Sequence, residues 1–268
     1  MQTDHRTNHP PTIPTRERTM NRQTISPVDT TPAARESQGW LSRRRAARMA
    51  GIGYVLIFVL AIFANFYVRE GLVEPDNAAA TVANITESMG LFRLGMVAFL
   101  AIFVLDVVIA WALHIVFRDA NRDLSLVTAW FRLVYTVFLG VALVFLFQVL
   151  QFLSGADYVS ALGSDQVNAQ VMIALDSFNA TWLVGLAAFG LHLVLLGVLI
   201  IRSGLASRWM AYLLMAAGGA YVLDTVANVT LANYADLAPA FLVMVALPSV
   251  IGEGWLGLWL LLSRRIAR

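Results

Sequence analysis

Six stretches of this chain, near residues 50–68, 94–117, 127–150, 177–201, 209–231 and 240–262, are apolar throughout. Each is close to the ~20 residues that a helix needs to cross the hydrocarbon core of a bilayer. Lipid offers no hydrogen bonds, so a spanning backbone must satisfy itself as a helix or a closed barrel. Barrel strands need only about 9–11 residues, half of what these runs supply. The expected fold class is therefore all-α, a six-transmembrane-helix bundle. Composition agrees, with 59% hydrophobic and 13% charged residues, where soluble domains carry about a quarter charged.

The polar residues between the runs set the threading. Arg43, Arg44, Arg45 and Arg48 precede the first run, and Arg118 and Arg122 lie between the second and third. Arg202 and Arg208 separate the fourth and fifth, and Arg264, Arg265 and Arg268 close the chain. The alternate loops carry Glu70, Glu74, Asp76 and Glu87, then Asp157 and Asp165, then Asp236, with Arg69 as their one flanking arginine. By the positive-inside rule both termini are expected in the cytoplasm, in a bacterial inner membrane. Residues 1–42 are rich in Thr, Pro, Arg and Asn and almost free of apolar runs. Such a segment cannot bury enough surface to offset its ordering entropy, so a disordered cytoplasmic tail is expected there, with the membrane domain over 43–268. Two loops are long enough for short outer helices. One is expected over Ala78–Ile85 behind the capping run Glu74-Pro75-Asp76-Asn77, the other from Gln166 to Leu175 behind Ser164-Asp165.

Ionisable groups inside spans are costly and generally face a bundle interior or a cavity. Here they are Asp106, Arg132, His192, Asp224 and Glu253, with Arg93 and His114 nearer the ends. At ~1.5 Å per residue, Asp106, His192 and Glu253 lie about 13–17 Å from the arginine-rich face, one layer near the midplane. Arg132 starts about 8 Å deep and has a side chain long enough to reach that layer; Asp224 lies about 22 Å deep. Arg132 is expected to pair with Glu253 or Asp106. A carboxylate left without a cation is expected to hold its proton, because burial disfavours charge. Helical spacing puts Ser177, Thr181, Gly185, Ala188 and His192 on one small, polar stripe, which lets a neighbouring helix come close. Ala217, Tyr221, Asp224 and Asn228 share a face of the fifth run, and Ser249, Glu253 and Gly257 a face of the sixth. The candidate binding pocket is Asp106, Arg132, His192, Asp224, Asn228 and Glu253, with Arg93 and His114 in second rank.

Much chemistry is excluded. No cysteine occurs, and all 19 basic residues are arginine. Disulfides, thiolate metal sites, cysteine nucleophiles and lysine Schiff bases are therefore absent. His114 and His192 differ in depth by about 8–9 Å on separate helices, which argues against a shared metal. Neither HExxH, GxSxG nor a phosphate-binding glycine loop appears. No cofactor and no nucleic-acid partner are expected; the expected partner is the bilayer, with a small solute or a proton. Three readings of the polar layer stand. It binds or passes a small solute or proton; it only holds the bundle together in a structural or regulatory protein; or it serves an intramembrane enzyme acting on lipid or isoprenoid.

Several short motifs occur together: Gly51-Ile-Gly-Tyr54, Gly90-Leu-Phe-Arg-Leu-Gly95 with Asp106, and Phe131-Arg-Leu133. Further on come Phe189-Gly-Leu-His-Leu-Val-Leu-Leu-Gly197, Ile201-Arg-Ser-Gly204, Tyr221-Val-Leu-Asp224 and Pro248-Ser-Val-Ile-Gly-Glu253. In this ensemble the chain resembles, over about residues 45–263, the bacterial membrane-protein family catalogued as domain of unknown function 4386. The resemblance implies a six-helix integral membrane protein and contributes no activity. It also implies recurring polar positions at Arg93, Asp106, Arg132, His192, Asp224 and Glu253.

Overall fold

The structure, a computed structural model, describes Met1, Gln2 and residues 41–263. The tail expected over 1–42 therefore lies almost wholly outside the described residues, as do Arg264, Arg265 and Arg268. Six helices are long and apolar enough to cross a membrane: Arg43–Leu72, Met89–Phe117, Arg122–Phe152, Ser164–Ser203, Arg208–Thr230 and Tyr234–Leu262. They are referred to below as the first to sixth spans. Among the described residues there is no strand.

Five of the six spans are longer than their apolar runs, because helical hydrogen bonding continues into the polar flanks; the fifth, at 23 residues, equals its run. Side-chain oxygens of Ser42, Asn121 and Ser207 accept from the backbone N–H groups of Arg45, Leu124 and Trp209, opening the first, third and fifth spans. Each satisfies a donor that a helix start would otherwise strand. The fourth span ends at Gly204, whose φ of +63° a side chain would strain. The outer helix expected after Asn77 is present as Ala78–Glu87, with Asn77 Oδ1 accepting from Ala80 N at 2.9 Å. The second outer helix is a correction. Gln166–Leu175 is not separate but the first part of the 40-residue fourth span, which begins without a side-chain cap at Ser164. Only the single turn Asp157–Ser160 stands apart in that loop. Nothing between Leu175 and Ser177 breaks the helix, so the expected boundary has no physical cause.

The first span also departs from regular geometry. Ile62–Arg69 is wound as a π-helix, and Glu70 N donates to Asn65 O, five residues back. At that level Arg69 Nε donates to Asn65 Oδ1 at 2.9 Å and Arg69 Nη1 to Asn179 Oδ1 at 2.6 Å, tying the first span to the fourth.

Each span packs against its neighbours in sequence, and the sixth returns to pack on the first. The six helices therefore form a closed ring whose ends alternate. Arg43 Nε donates to Val116 O at 2.9 Å, so the start of the first span and the end of the second share one end. That end also holds the loops at 118–121 and 204–207 and is called the arginine end below. The fourth and fifth spans make the tightest crossing. A Cβ on Gly190 or on Gly218 would fall under 3.0 Å from the other's carbonyl oxygen, an approach that only small residues permit. The sixth span is held least. Only 11% of its most apolar window is buried in the bundle, against 28–50% for the other five.

Candidate functional site: a charged centre shared by six helices

Arg132 sits at the middle of the ring, 1% exposed, and its guanidinium organises the centre. Nη2 donates to Asp106 Oδ1 of the second span at 2.5 Å. Nη1 donates to the Tyr54 hydroxyl of the first span at 2.9 Å and faces His192 Nε2 of the fourth at 3.3 Å. The guanidinium carbon lies 5.0 Å from the centre of the Tyr54 ring and 5.3 Å from that of Phe189. Attraction between a desolvated cation and aromatic faces is worth about 2 kcal/mol or more. Phe189 in turn packs on Tyr135, His192 and Tyr221, with ring centres 4.8, 5.6 and 5.7 Å away.

The partners of His192 assign its protons. A guanidinium can only donate, so Nε2 accepts from Arg132. The proton is then on Nδ1, which donates to the Thr128 carbonyl at 2.8 Å. The imidazole is neutral and serves as an acceptor for the arginine, in the tautomer its neighbours dictate. Asp106 is the countercharge. Both members of the pair are out of water, at 1% and 2% side-chain exposure. In that setting breaking a pair strands an ion at a cost of about 3–5 kcal/mol.

Two features of this centre are unfinished. Arg132 Nε is the one buried side-chain nitrogen or oxygen among the described residues without a hydrogen-bond partner. Glu253, half-buried on the sixth span, acts electrostatically on Arg132, Tyr54 and Tyr221. Yet no hydrogen bond and no ion pair within 4.0 Å joins it to any described residue. A donor without an acceptor and a carboxylate without a donor therefore lie near enough to interact electrostatically. Pro248 lies inside the helix one turn before Glu253 and cannot donate to the Met244 carbonyl, which loosens that turn.

Of the residues expected from sequence, Asp106, Arg132 and His192 meet, and Glu253 borders them. The alternative posed for Arg132 resolves to Asp106. Asp224 does not join; it accepts from the Tyr234 hydroxyl at 2.6 Å, where the fifth and sixth spans meet. Asn228 is exposed near the same place, and Arg93 is exposed on the second span. His114 lies at the arginine end, with Nδ1 3.1 Å from Ser125 Oγ. Of the small, polar stripe on the fourth span, Gly185 and His192 are buried; Ser177, Thr181 and Ala188 lie at its half-buried margin. Sequence reasoning missed Tyr54 and Phe189 as members of the site. Phe189 carries a usable signal, standing three residues before His192 on the same helical face.

Between the spans at this level, aromatic rings and the ion pair take up space that an enclosed polar pocket would need. The clearest cavities lie elsewhere. One of about 270 Å³ is at the arginine end, between Arg44, Arg48 and Leu260–Ser263. One of about 10 Å³ lies beneath the π-helical turn, beside Val68 and Gly95. Nor does a lateral opening reach Asp106 or His192, which are 2% and 0% exposed.

Comparison with known proteins places this arrangement. The family described as Domain of unknown function (DUF4386) matches residues 49–263, which takes in the charged centre and all six spans apart from the first six residues of the first. The chain belongs to this family. A similar protein is an uncharacterized protein of Archaeoglobus fulgidus, 25% identical over 170 residues, which covers 63% of this chain and 83% of that one. No solved structure matches the chain. For this DUF4386 member, then, the chemistry must be argued from the centre itself.

Proposed function

We propose that this DUF4386 protein lies in the cytoplasmic membrane with both ends on the cytoplasmic side, and that its centre binds and releases a proton at Glu253. The distribution of arginine between alternate loops supports the orientation. The proton reading rests on one observation: the unbonded Glu253 carboxylate acts electrostatically on the cation whose Nε has no acceptor.

The groups around Glu253 define what its titration does. Arg132 of the third span, Asp106 of the second, Tyr54 of the first and Tyr221 of the fifth interact with it electrostatically. His192, on the fourth, is bonded to Arg132. With Glu253 protonated, one carboxylate and one guanidinium balance, as Asp106 and Arg132. When the proton leaves to water along the half-buried side of Glu253, a second carboxylate competes for the guanidinium through Nε. Differential attraction of this kind shifts a two-state element. The element available is the sixth span, the least buried of the six and loosened by Pro248. A solute path through the centre would need space that side chains occupy, whereas a proton needs none.

The test is a carboxyl infrared titration of the reconstituted protein. A protonated-carboxyl C=O band that disappears with rising pH is expected, moved to lower pH in Asp106→Asn, where Glu253 becomes the remaining acid beside Arg132, and missing in Glu253→Gln. If no such band depends on Glu253 between pH 4 and pH 10, the proton reading fails. A second reading, that the charges only fasten the bundle, is favoured by the space that aromatic rings and the ion pair take up at the centre. On that reading Glu253→Gln alters stability in detergent and no pH-dependent signal.

A further inference from the structure

The cavity at the arginine end has no part in the charged centre, and its lining has a definite character. Two exposed arginines, Arg44 and Arg48, stand one helical turn apart at the start of the first span. Leu260, Leu261, Leu262 and Ser263, at the end of the sixth span, form the opposite wall. Neither arginine forms an ion pair within 4.0 Å among the described residues. By contrast Arg43, next to them, contacts Asp119 at 3.6 Å. The space holds about 270 Å³, just under the range of pockets that take small ligands.

What lies beyond the cavity identifies the class of ligand. On the first span, Ile52, Val55 and Val59 continue the helical stripe begun by Arg44 and Arg48, at 53%, 41% and 60% exposure. On the sixth span, Leu262, Leu258 and Ile251 form a second stripe leading away from the same place, at 76%, 54% and 47%. Between the two helices the seam is closed, since a Cβ on Gly51 would meet Leu261 at 2.7 Å. A ligand therefore enters no deeper than the arginines, and two apolar ridges flank it toward the bilayer centre. Cations at the level of headgroups above apolar tracks at the level of acyl chains match a phospholipid with an anionic headgroup. A soluble phosphate would use the arginines and leave both ridges without purpose.

We infer that the cavity formed by Arg44, Arg48 and the Leu260–Ser263 segment is a binding site for the phosphate-bearing headgroup of an anionic phospholipid, whose acyl chains lie along the exposed faces of the first and sixth spans. Basic pockets between spans at the cytoplasmic side are where such headgroups bind. The inference is independent of the proton reading, because none of its residues touches the charged centre.

The test is native mass spectrometry of the full chain from mixed micelles with equal phosphatidylglycerol and phosphatidylcholine. Preferential retention of one phosphatidylglycerol is expected. Each arginine near a membrane surface contributes about fivefold, so Arg44→Gln/Arg48→Gln should lower retention roughly 25-fold. Arg122→Gln, at the same end but outside the cavity, should leave it unchanged. Both arginines of the site are exposed, so the double variant is expected to fold; an unchanged helical circular dichroism spectrum checks this. Arg44→Lys/Arg48→Lys, which keeps both charges, should recover most of the retention. Equal retention of the two lipids, or full retention by the double glutamine variant, overturns the site. Displacement of the lipid by millimolar inorganic phosphate overturns the lipid as its ligand and leaves a soluble-anion site.

Discussion

Replacing Asp106 by Asn removes the countercharge of Arg132 while keeping nearly the same side-chain shape. A guanidinium that is 1% exposed would then be stranded, at about 3–5 kcal/mol for a buried ion that loses its partner. Glu253 should relieve part of this, because it acts electrostatically on Arg132 and Nε has no acceptor. An ion pair at 4 Å is worth about 4 kcal/mol at the effective dielectric of ~20 that suits protein sites. Even half of that brings the single variant down to about 1–3 kcal/mol. Glu253→Gln alone loses no hydrogen bond and should cost less than about 1 kcal/mol. The double variant has no acid beside Arg132 and should cost the full 3–5 kcal/mol or more. The coupling, ΔΔG of the double minus the sum of the singles, is then at least about 1 kcal/mol. Reversible unfolding in mixed detergent–dodecyl sulfate micelles, followed by tryptophan fluorescence, measures all four corners of the cycle. Asp224→Asn provides the control, since Asp224 bonds Tyr234 away from the centre and should be additive with Asp106→Asn. Additivity of Asp106→Asn and Glu253→Gln within about 0.5 kcal/mol would refute the exchange of partners on Arg132.

Gly218→Ala should cost about 1–3 kcal/mol by forcing the fourth and fifth spans apart at Gly190. Its neighbour Gly219 has nothing within 4 Å of an added Cβ, so Gly219→Ala should be neutral or stabilising by up to about 1 kcal/mol; thermal unfolding of the pair compares them directly. His192→Phe should keep the packing on Phe189 but lose the bonds to Arg132 and the Thr128 carbonyl. The cost should be about 1–3 kcal/mol, and nitrogen-15 spectra of the unaltered imidazole should show the proton on Nδ1. The chain has no cysteine, so single cysteines report sidedness without background. In intact cells an impermeant maleimide should label Asp76→Cys and spare Asp119→Cys, and the reverse pattern would invert the orientation.

Much of the fold was legible because lipid leaves a spanning chain few options. Six apolar runs of span length identify six helices, and short loops such as 118–121 make neighbours antiparallel. What hydropathy cannot read is where a helix ends. It finds the part buried in hydrocarbon, whereas helical bonds continue to the next cap, as at Asn121 ahead of the third span. The fourth span shows the same effect at larger scale. Its polar first part, from Ser164, looked like a separate surface helix because polarity changes near Ser177 while backbone geometry does not. The π-helical turn at Ile62–Arg69 had no signal in composition, since Ala, Asn, Phe and Tyr serve equally in either winding.

The site was legible to the extent that depth along a helix decides contact. Counting rise placed Asp106, His192 and Glu253 in one layer, and the long side chain of Arg132 reached it. The same count put Asp224 some turns away, and there it bonds Tyr234 instead. Depth says nothing of rotation about each helix axis, and rotation separates a pocket from a plug. Here the Tyr54 and Phe189 rings turn inward to within 5.0 and 5.3 Å of the guanidinium carbon, so aromatic carbon takes up space beside the four polar residues. This packing has a consequence for mechanism. Three of the four ionisable groups at this level, Asp106, Arg132 and His192, are bonded to one another and to Tyr54 and the Thr128 carbonyl, with only Arg132 Nε left over. Glu253 is the remainder, and it sits on the span least held by its neighbours. Coupling between protonation and helix movement in this bundle is therefore expected to run through Glu253 and the sixth span, because Glu253 is the acid at the centre without a bonded partner and Arg132 Nε is the donor left without an acceptor.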